Sequence, residues 1–537
     1  MSQKAYPDKL LQVSVNAVAK YGSVPKAVSA LEVNQATLEN RLQAARVRGI
    51  AAKSAKKPKD APTGINAENV DTIHRKIRGD KGIQRFVVTS AQNATPVNKA
   101  FLASLLGYCK HNKAQLLVIP FRYKNPTSHW SAVADSEDWW APELAPYLYD
   151  KRIQLNKHLL LLADIKTQPT ASSPLMGFES ISGAHSAIIG HPKLELLTVP
   201  TPQAKLPKLL TSTGAVTTKN YTPTKAGKKG AFHHTFGACV VEIDGSTFHL
   251  RQLNAIKDGS FMDLQHDYRG DTVLAGGVEA LDMGDTHEEF VDPQVVAATF
   301  GVTGMVPTLK PKYLVWHDIH DGYARNHHHK DNPFVEYAKH NAGMNNVEKA
   351  LQQTFDFVDK HSPDWCVNVF VASNHPDVIA RWVREANPKT DPVNCVFWAR
   401  TFEAMMLGSK MGDSGATTID PFVYWAKKKM KCADRTKFLS RDESFRIKDI
   451  EVGYHGDRGA NGARGSRKSF SRIGERTIIG HSHSPGITEG AYQVGTSSRL
   501  TLEYNSGPSS WLHTHCVIYK NGKRSLINIV NGQWRAA

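Results

Sequence analysis

"LDMGDTHEEF" spans residues 281–290. An apolar, strand-like run leads into Gly284, Asp285, Thr286 and His287, and there the pattern breaks. Residues two apart share one face of an extended chain, so Asp285 and His287 would project together. Such a pair can bind one metal ion, or it can be ordinary turn chemistry, since Asp beside Gly is common in loops. This stretch alone leaves the two readings even.

Later strand ends separate them. "KYLVWHDIHDG" ends on Asp318, with Asp321 close behind, and "WCVNVFVASNHPD" ends on Asn374 and His375. "FRIKDIEVGYHGD" ends on His455, and "RTIIGHSHSP" on His481 and His483. Between them "NNVEKALQQTFDFVDKHS" and "PDVIARWVREAN" read as helices. In open α/β sheets, sites form outside the carboxyl ends of the strands, so one sheet edge would collect all five termini. Imidazole and carboxylate donors suit Mn, Fe, Zn or similar ions. A carboxylate shared by two cations about 3.5–4 Å apart suits phosphoester hydrolysis.

These motifs resemble the calcineurin-like metallophosphoesterases, which include SbcD-type nucleases, phosphoprotein phosphatases and phosphodiesterases. "GDTH" matches the D-x-H of that family and "GHSH" its GHxH. "HDIHD" resembles GDxxD with His317 in place of Gly. "SNHP" resembles GNH[DE] with Ser373 for Gly and Pro376 for the acid. The likeness covers about half the chain. It implies that Asp285, His287 and His483 hold one divalent metal, that Asn374, His455 and His481 hold a second, and that Asp318 bridges both. Mn is the expected ion, with Fe, Zn or Mg as alternatives. His375 would donate to the leaving oxygen or steady the transition state. Because the acid after His375 is missing, Asp377 is the expected substitute. With "GDTH" ahead of it, His320 is read as a bystander.

Substrate clues follow His455. "GDRGANGARGSRKSFSRIGER" sets Arg458, Arg464, Arg467, Lys468 and Arg472 among glycines and small residues. Glycine lets backbone N–H groups approach phosphate and Arg adds planar charged donors. "WAKKKMKCADRTK" adds Lys427, Lys428, Lys429 and Lys431 upstream. A basic track suits a polymer of repeating phosphates, though a solvated surface loop has the same composition. His327, His328 and His329 read as a polar loop. The H-x-H of His513 and His515 lies beyond the motif set and is a weak ligand candidate.

Ahead of this half, residues 8–50 read as three helices, with Ser23 and Asn34 as caps. "YGSVPKAVSALEVNQATLENRLQAARVRGI" resembles the helix-turn-helix of Fis-like and homeodomain-like proteins. That likeness implies DNA contact by Gln35, Thr37, Asn40, Arg41 and Gln43, with Leu38 and Leu42 facing inward. The alternative is a small helical module that only packs on its neighbours. Residues 51–83 read as a basic linker whose Lys53, Lys56, Lys57 and Lys59 either touch phosphate nonspecifically or are simply solvated. "RFVVTS", "NKAFLASLLGYCKHN" and "AQLLVIPF" form a β-α-β unit opening an α/β region over 84–275. That region carries no recognisable catalytic motif, and His185 and His191 are read as structural. No internal repeat is apparent.

The expected fold class is therefore α/β. It consists of a helix-turn-helix (1–50), a linker (51–83), an α/β region of unassigned role (84–275), and a two-metal metallophosphoesterase β-sandwich flanked by helices (276–537). The chain has 537 residues, of which 41% are hydrophobic, enough for sizeable cores. A formal charge of +17 favours a polyanionic partner, most simply DNA. Six scattered cysteines form no CxxC pair and read as reduced thiols in a cytosolic protein. No apolar run is long enough to cross a membrane, and the N-terminus has no signal-peptide core. The leading expectation is a metal-dependent DNA nuclease. The alternatives are a phosphatase acting on phosphoprotein or a small molecule, and a DNA-binding regulator with a reduced hydrolase. The domain string also resembles phage-borne fusions, which implies host or injected DNA as substrate in the host cytoplasm. SbcD-type enzymes dimerise, so the resemblance allows a homodimer.

Overall fold

Strand β1 (Gln84–Gln92) is buried over its last seven residues and pairs in parallel with β2 (Gln115–Phe121). Helix Lys99–Asn112, capped by Asn98, connects them, as the β-α-β pattern predicts. The computed structural model describes residues 6–21, 24–48, 65–79, 84–121, 139–413 and 415–536. Ser23 and the lysines at 53, 56, 57 and 59 lie outside the described residues.

The first half continues with β3 (Arg152–Asn156), β4 (Leu159–Leu162), β5 (Ser186–Ile189), β6 (Glu195–Val199) and β7 (Lys208–Ser212). The hairpin β8 (Gly237–Asp244) and β9 (Thr247–Asn254) then pairs with β1. A small meander, β10 (Phe261–Asp263), β11 (His266–Arg269) and β12 (Thr272–Ala275), leads to the second half. There β13 (Val278–Asp282), β14 (Tyr313–Trp316) and β15 (Val367–Phe370) run parallel. The short hairpin β16 (Lys410–Gly412) and β17 (Gly415–Thr417) follows, then β18 (Thr436–Phe438), β19 (Arg446–Ile447) and β20 (Ile450–Glu451). β21 (Thr477–Ile479), β22 (Gly486–Thr488), β23 (Ala491–Gln493), β24 (Thr514–Tyr519) and β25 (Arg524–Asn528) complete the chain. The class is mixed α/β, as expected.

The sheet orders are palindromic. One ten-stranded sheet runs β19-β20-β21-β23-β22-β6-β7-β5-β4-β3. Read outward from its centre, each half has the same pairing directions: antiparallel, parallel, parallel, antiparallel. β2-β1-β8-β9 likewise repeats as β14-β13-β24-β25. Registers agree as well. Phe86 pairs with Gln115 as Ala280 pairs with Tyr313, and Val88 with Cys239 as Asp282 with Cys516. At the centre, Leu196 pairs with Ile487, its own counterpart. On the other layer the Leu526 amide donates to Gln252 Oε1 at 3.1 Å, and these too are counterparts. A pseudo-two-fold axis thus passes between two lobes of one repeated fold.

This corrects two sequence readings. An internal repeat exists, and its residue-level traces are short: "IIGH" at 188–191 and 478–481, and "CVVEIDG" at 239–245 against "CVIYKNG" at 516–522. The expected boundary between 275 and 276 is not a physical break, because the ten-stranded sheet draws strands from both sides of it. Ile188 and Leu196 share one core with Ile478, Ile487, Val315 and Ile518. Each such buried side chain contributes roughly 1.5–3 kcal/mol.

A third correction concerns residues 51–83. Helix Ala67–Gly79 lies inside this stretch, with Val70, Ile73 and Ile77 buried in that same core at helical spacing. At the N-terminus, helices Asp8–Tyr21, Val24–Leu31 and Gln35–Val47 form as predicted around Leu11, Ala27, Leu38 and Ala45. Asn34 Oδ1 accepts from the Thr37 amide at 2.7 Å, the expected cap.

Candidate metal centre

β13, β14 and β15 are parallel, so their carboxyl ends emerge at one edge. Backbone bonds hold the loops together beyond the strands: the Thr286 amide donates to His317 O at 3.0 Å and the His287 amide to Asp318 O at 2.7 Å. The turn after β21 brings His481 and His483 to the same place, where the His481 amide donates to Asp285 Oδ2 at 2.7 Å. A Cβ at Gly480 would stand 2.1 Å from Asp285 Oδ1, so only glycine permits this approach. His287, Asp318, His481 and His483 all have positive φ, at 44°, 40°, 74° and 57°. Such conformations cost non-glycine residues about 1–3 kcal/mol each and persist where surrounding structure enforces them.

Two donor groups result. In the first, His483 Nε2 lies 3.1 Å from Asp285 Oδ2 and 3.0 Å from His287 Nε2. In the second, ligand atoms of Asp318, His455 and His481 lie within 4.8 Å of one another. Asp318 Oδ2 stands between the groups, 3.0 Å from His455 Nε2 and 3.8 Å from His287 Nε2. Asn374 Oδ1 is buried without a hydrogen-bond partner, as are Asp285 Oδ1 and Asp318 Oδ1. All the expected ligand residues except Asn374 therefore fall in these groups, which could hold metal ions.

The electrostatics fit a cation site. Burial pulls His287 down, but Asp321, Asp318 and Asp285 outweigh it and raise its pKa to about 9. Burial likewise opposes His455, yet Asp318 and Asp285 raise it to about 8. Asp285 and Asp318 are held below the usual carboxylate range by surrounding histidines despite burial. A metal ion would take the place of these protons.

His375 sits beside this cluster, its ring 4.5 Å from that of His287. Its Nδ1 donates to Asp321 O at 2.9 Å and lies 3.5 Å from Asp321 Oδ2. Asp377 does not take this part, a correction to the sequence reading, because its carboxylate faces Arg441 at 2.7 Å. Asp321 also accepts from His287 Nδ1 at 2.9 Å, which turns Nε2 toward the site. Asp321 was visible in "HDIHD" as the second acid but received no role from sequence. His317 and Asp282 were missed as supports as well.

Comparison with known proteins finds a relative, Protein A1 of Escherichia phage T5. It is 35% identical over 466 residues, covering 84% of this chain and 83% of that protein. The chain belongs to the protein A1 family. No family model and no solved structure matches. An alignment of this length extends well before residue 276, so both lobes belong to what the protein A1 family shares.

Around the centre, the expected substrate residues divide. Arg458 and Arg464 face each other across a short bridge, and Arg464 and Lys468 are exposed. Arg467 instead turns inward, donating to Ser484 O at 3.3 Å. Of the upstream lysines, Lys429 is paired with Glu348 at 2.8 Å. In the N-terminal helices Gln35, Asn40 and Gln43 are exposed, while Thr37 and Arg41 are half-buried. The other histidines have structural duties. His515 Nδ1 accepts from the Gly284 amide, His513 Nε2 donates to Ser498 O, and His320 lies 3.2 Å from Glu289. No described helix is long and apolar enough to cross a membrane.

Proposed function

We propose that this chain is a metal-dependent phosphoesterase and, within that class, a nuclease that hydrolyses DNA phosphodiesters with two metal ions. The observation carrying this reading is the Asp318 carboxylate standing between two ligand groups. The donor set fits: three buried oxygens, on Asp285, Asp318 and Asn374, lack partners. A buried oxygen left so costs about 1–3 kcal/mol unless a cation takes it. Asp285, His287 and His483 would hold one ion, Asn374, His455 and His481 the other, and Asp318 both. When bound, such ions supply Lewis acidity and neutralise phosphoryl charge. Mn is the ion proposed, with Fe, Zn or Mg as alternatives, because imidazole and carboxylate donors together accept several divalent ions.

The protein's own groups do the rest. Asp321 fixes the His287 ring through Nδ1 and receives His375 on its backbone carbonyl. His375, donating from Nδ1, keeps Nε2 free to hold or deliver a proton at the leaving oxygen. Two packed sheets with ligands at the strand ends support a metallophosphoesterase sandwich for 276–537. The net charge of +17, the exposed Arg464 and Lys468, and the exposed row Gln35, Asn40 and Gln43 favour DNA over a small phosphoester. The relative is a phage protein, and for a phage-encoded nuclease the substrate would be host or injected DNA in the host cytoplasm.

The test is Mn-dependent digestion of circular and linear DNA, with metal content measured alongside. Wild type should bind two ions and cut. Asp318→Asn should bind fewer and lose at least about a hundredfold in rate, more than loss of an outer-sphere partner costs. Cleavage that survives Asp318→Asn would sink the reading. Turnover of phosphopeptides without DNA cleavage would move it to a phosphatase.

A further inference from the structure

The register map between the lobes shows what the first lobe lacks. Laying Val88 on Asp282 and Gln115 on Tyr313 puts Ala91 at the place of Asp285, Asn93 at that of His287 and Pro120 at that of Asp318. Laying Ile188 on Ile478 puts His191 at the place of His481 and Lys193 at that of His483. Four of these five residues are replaced, and only the histidine at the place of His481 remains, as His191. His191 is buried, its ring nitrogens facing Lys193 O and Gln168 O. Lys193 is buried too, its ammonium 2.7 Å from Glu195 and 3.3 Å from Glu489 of the opposite lobe. This edge cannot hold a pair of metals.

Its rim has changed sign instead. From residue 196 to 241 there are six lysines and no aspartate or glutamate. The stretch after β7 corresponds to 495–513 of the second lobe, where Trp511 packs 4.2 Å from His483 and Tyr504 packs on Trp511. In the first lobe that stretch forms helix Lys225–His233, started by the Thr224 cap. Lys219, Lys225 and Lys228 are exposed and form no ion pair among the described residues. Lys229 is 4.0 Å from Glu489. On the same helix as Lys225 and Lys228, Phe232 is 82% exposed, its ring edge-on to His233 at 5.0 Å. An exposed phenyl ring among unpaired ammonium groups matches what a nucleic-acid strand requires: cations for phosphates and a flat face for an unstacked base.

We propose that the metal-free edge of the first lobe is a non-catalytic binding site for single-stranded nucleic acid. Lys219, Lys225 and Lys228 contact phosphates and Phe232 stacks a base. The choice of polymer rests on the phosphodiesterase reading, but the binding does not depend on catalysis. Duplication thus leaves one lobe to cut and the other to hold the strand.

The test uses the full chain in EDTA and a labelled oligothymidylate, with fluorescence anisotropy across a salt series. Phe232→Ala should weaken binding roughly tenfold through lost stacking. The double variant Lys225→Gln/Lys228→Gln should weaken it and flatten the log–log salt slope by about 1.4, since each phosphate contact to a single strand contributes about 0.7. Comparison against wild type cancels any contribution from the N-terminal helices. Far-UV dichroism and Mn-dependent turnover of a small aryl phosphodiester should be unchanged in both. Unchanged affinity in both variants overturns the proposal. So does a loss in the lysine variant alone with duplex bound as tightly as single strand. Binding that behaves as expected in a chain without phosphodiester turnover leaves this site standing and removes the nuclease reading.

Discussion

His317 Nδ1 lies 3.3 Å from His455 Nδ1, and His317 Nε2 lies 3.1 Å from Asp282 Oδ1. All three side chains are buried. With a metal bound, His455 would donate from Nδ1 to His317 and His317 from Nε2 to Asp282, which leaves the lone pair of His455 Nε2 for the ion. The position where the resembled family has glycine thus carries a support that would fix the tautomer of a candidate ligand. His317→Ala should weaken one Mn site about 10–100-fold, the usual effect of losing such an outer partner. Calorimetric Mn titration reads this directly. Two unaltered Mn affinities in the variant would remove the role assigned to His317.

Gly480 offers a steric test. A methyl group there meets Asp285 Oδ1 at 2.1 Å, and Asp285 is fully buried and held by the His481 amide and His483. Gly480→Ala should abolish binding at the ion held by Asp285, His287 and His483 and leave a single Mn equivalent. The counterpart in the first lobe is Gly190, whose Cβ would meet Ile119 at 2.7 Å, a side chain rather than a ligand. Gly190→Ala should therefore lower thermal stability and spare metal stoichiometry. Two bound Mn in Gly480→Ala would contradict the geometry.

Sequence carried the second lobe's candidate ligands because metal chemistry restricts residue types and their strand-end order. Asp285, His287, Asp318, His455, His481 and His483 were all legible in this way. The supports were not, because any hydrogen-bonding residue can fill an outer position, as Asp282, His317 and Asp321 do. The repeat was hidden for a related reason. Where the second lobe has Asp285, His287 and Asp318 the first has Ala91, Asn93 and Pro120, so these positions carry no metal-ligand pattern, and packing tolerates many apolar residues. Helix Ala67–Gly79 was overlooked because its three core residues stand among charged neighbours.

The dyad predicts coupled energetics. Leu196 and Ile487 are counterparts, are both buried, and pair directly where the lobes join. Either residue changed to alanine should cost about 2–5 kcal/mol. The double variant should cost less than the sum, because both truncations open one shared cavity, with a coupling of about 0.5–3 kcal/mol. Chemical denaturation of the four proteins yields the cycle. Strict additivity would mean that the two halves do not share a core at this point.

The first lobe also predicts an acid-labile protein. Burial pushes His191 down to about 4 and His234 down to about 3. In the unfolded chain both titrate near about 6.5. Between those values the unfolded state binds protons that the folded state refuses, so stability rises with pH across this window. The contribution is fully present above about 6.5 and is lost as pH falls toward 4. Each histidine removes about 1.4 kcal/mol per pH unit within its window. His234 Nε2 faces Thr217 O at 3.0 Å and its Nδ1 faces the Tyr221 hydroxyl at 3.0 Å, so glutamine can replace part of this bonding without titrating. His234→Gln should lower stability at pH 7.5 and show a shallower loss toward pH 4.5. Urea midpoints measured at several pH values give the slopes, and parallel curves for wild type and variant would show that His234 takes its proton in the folded state.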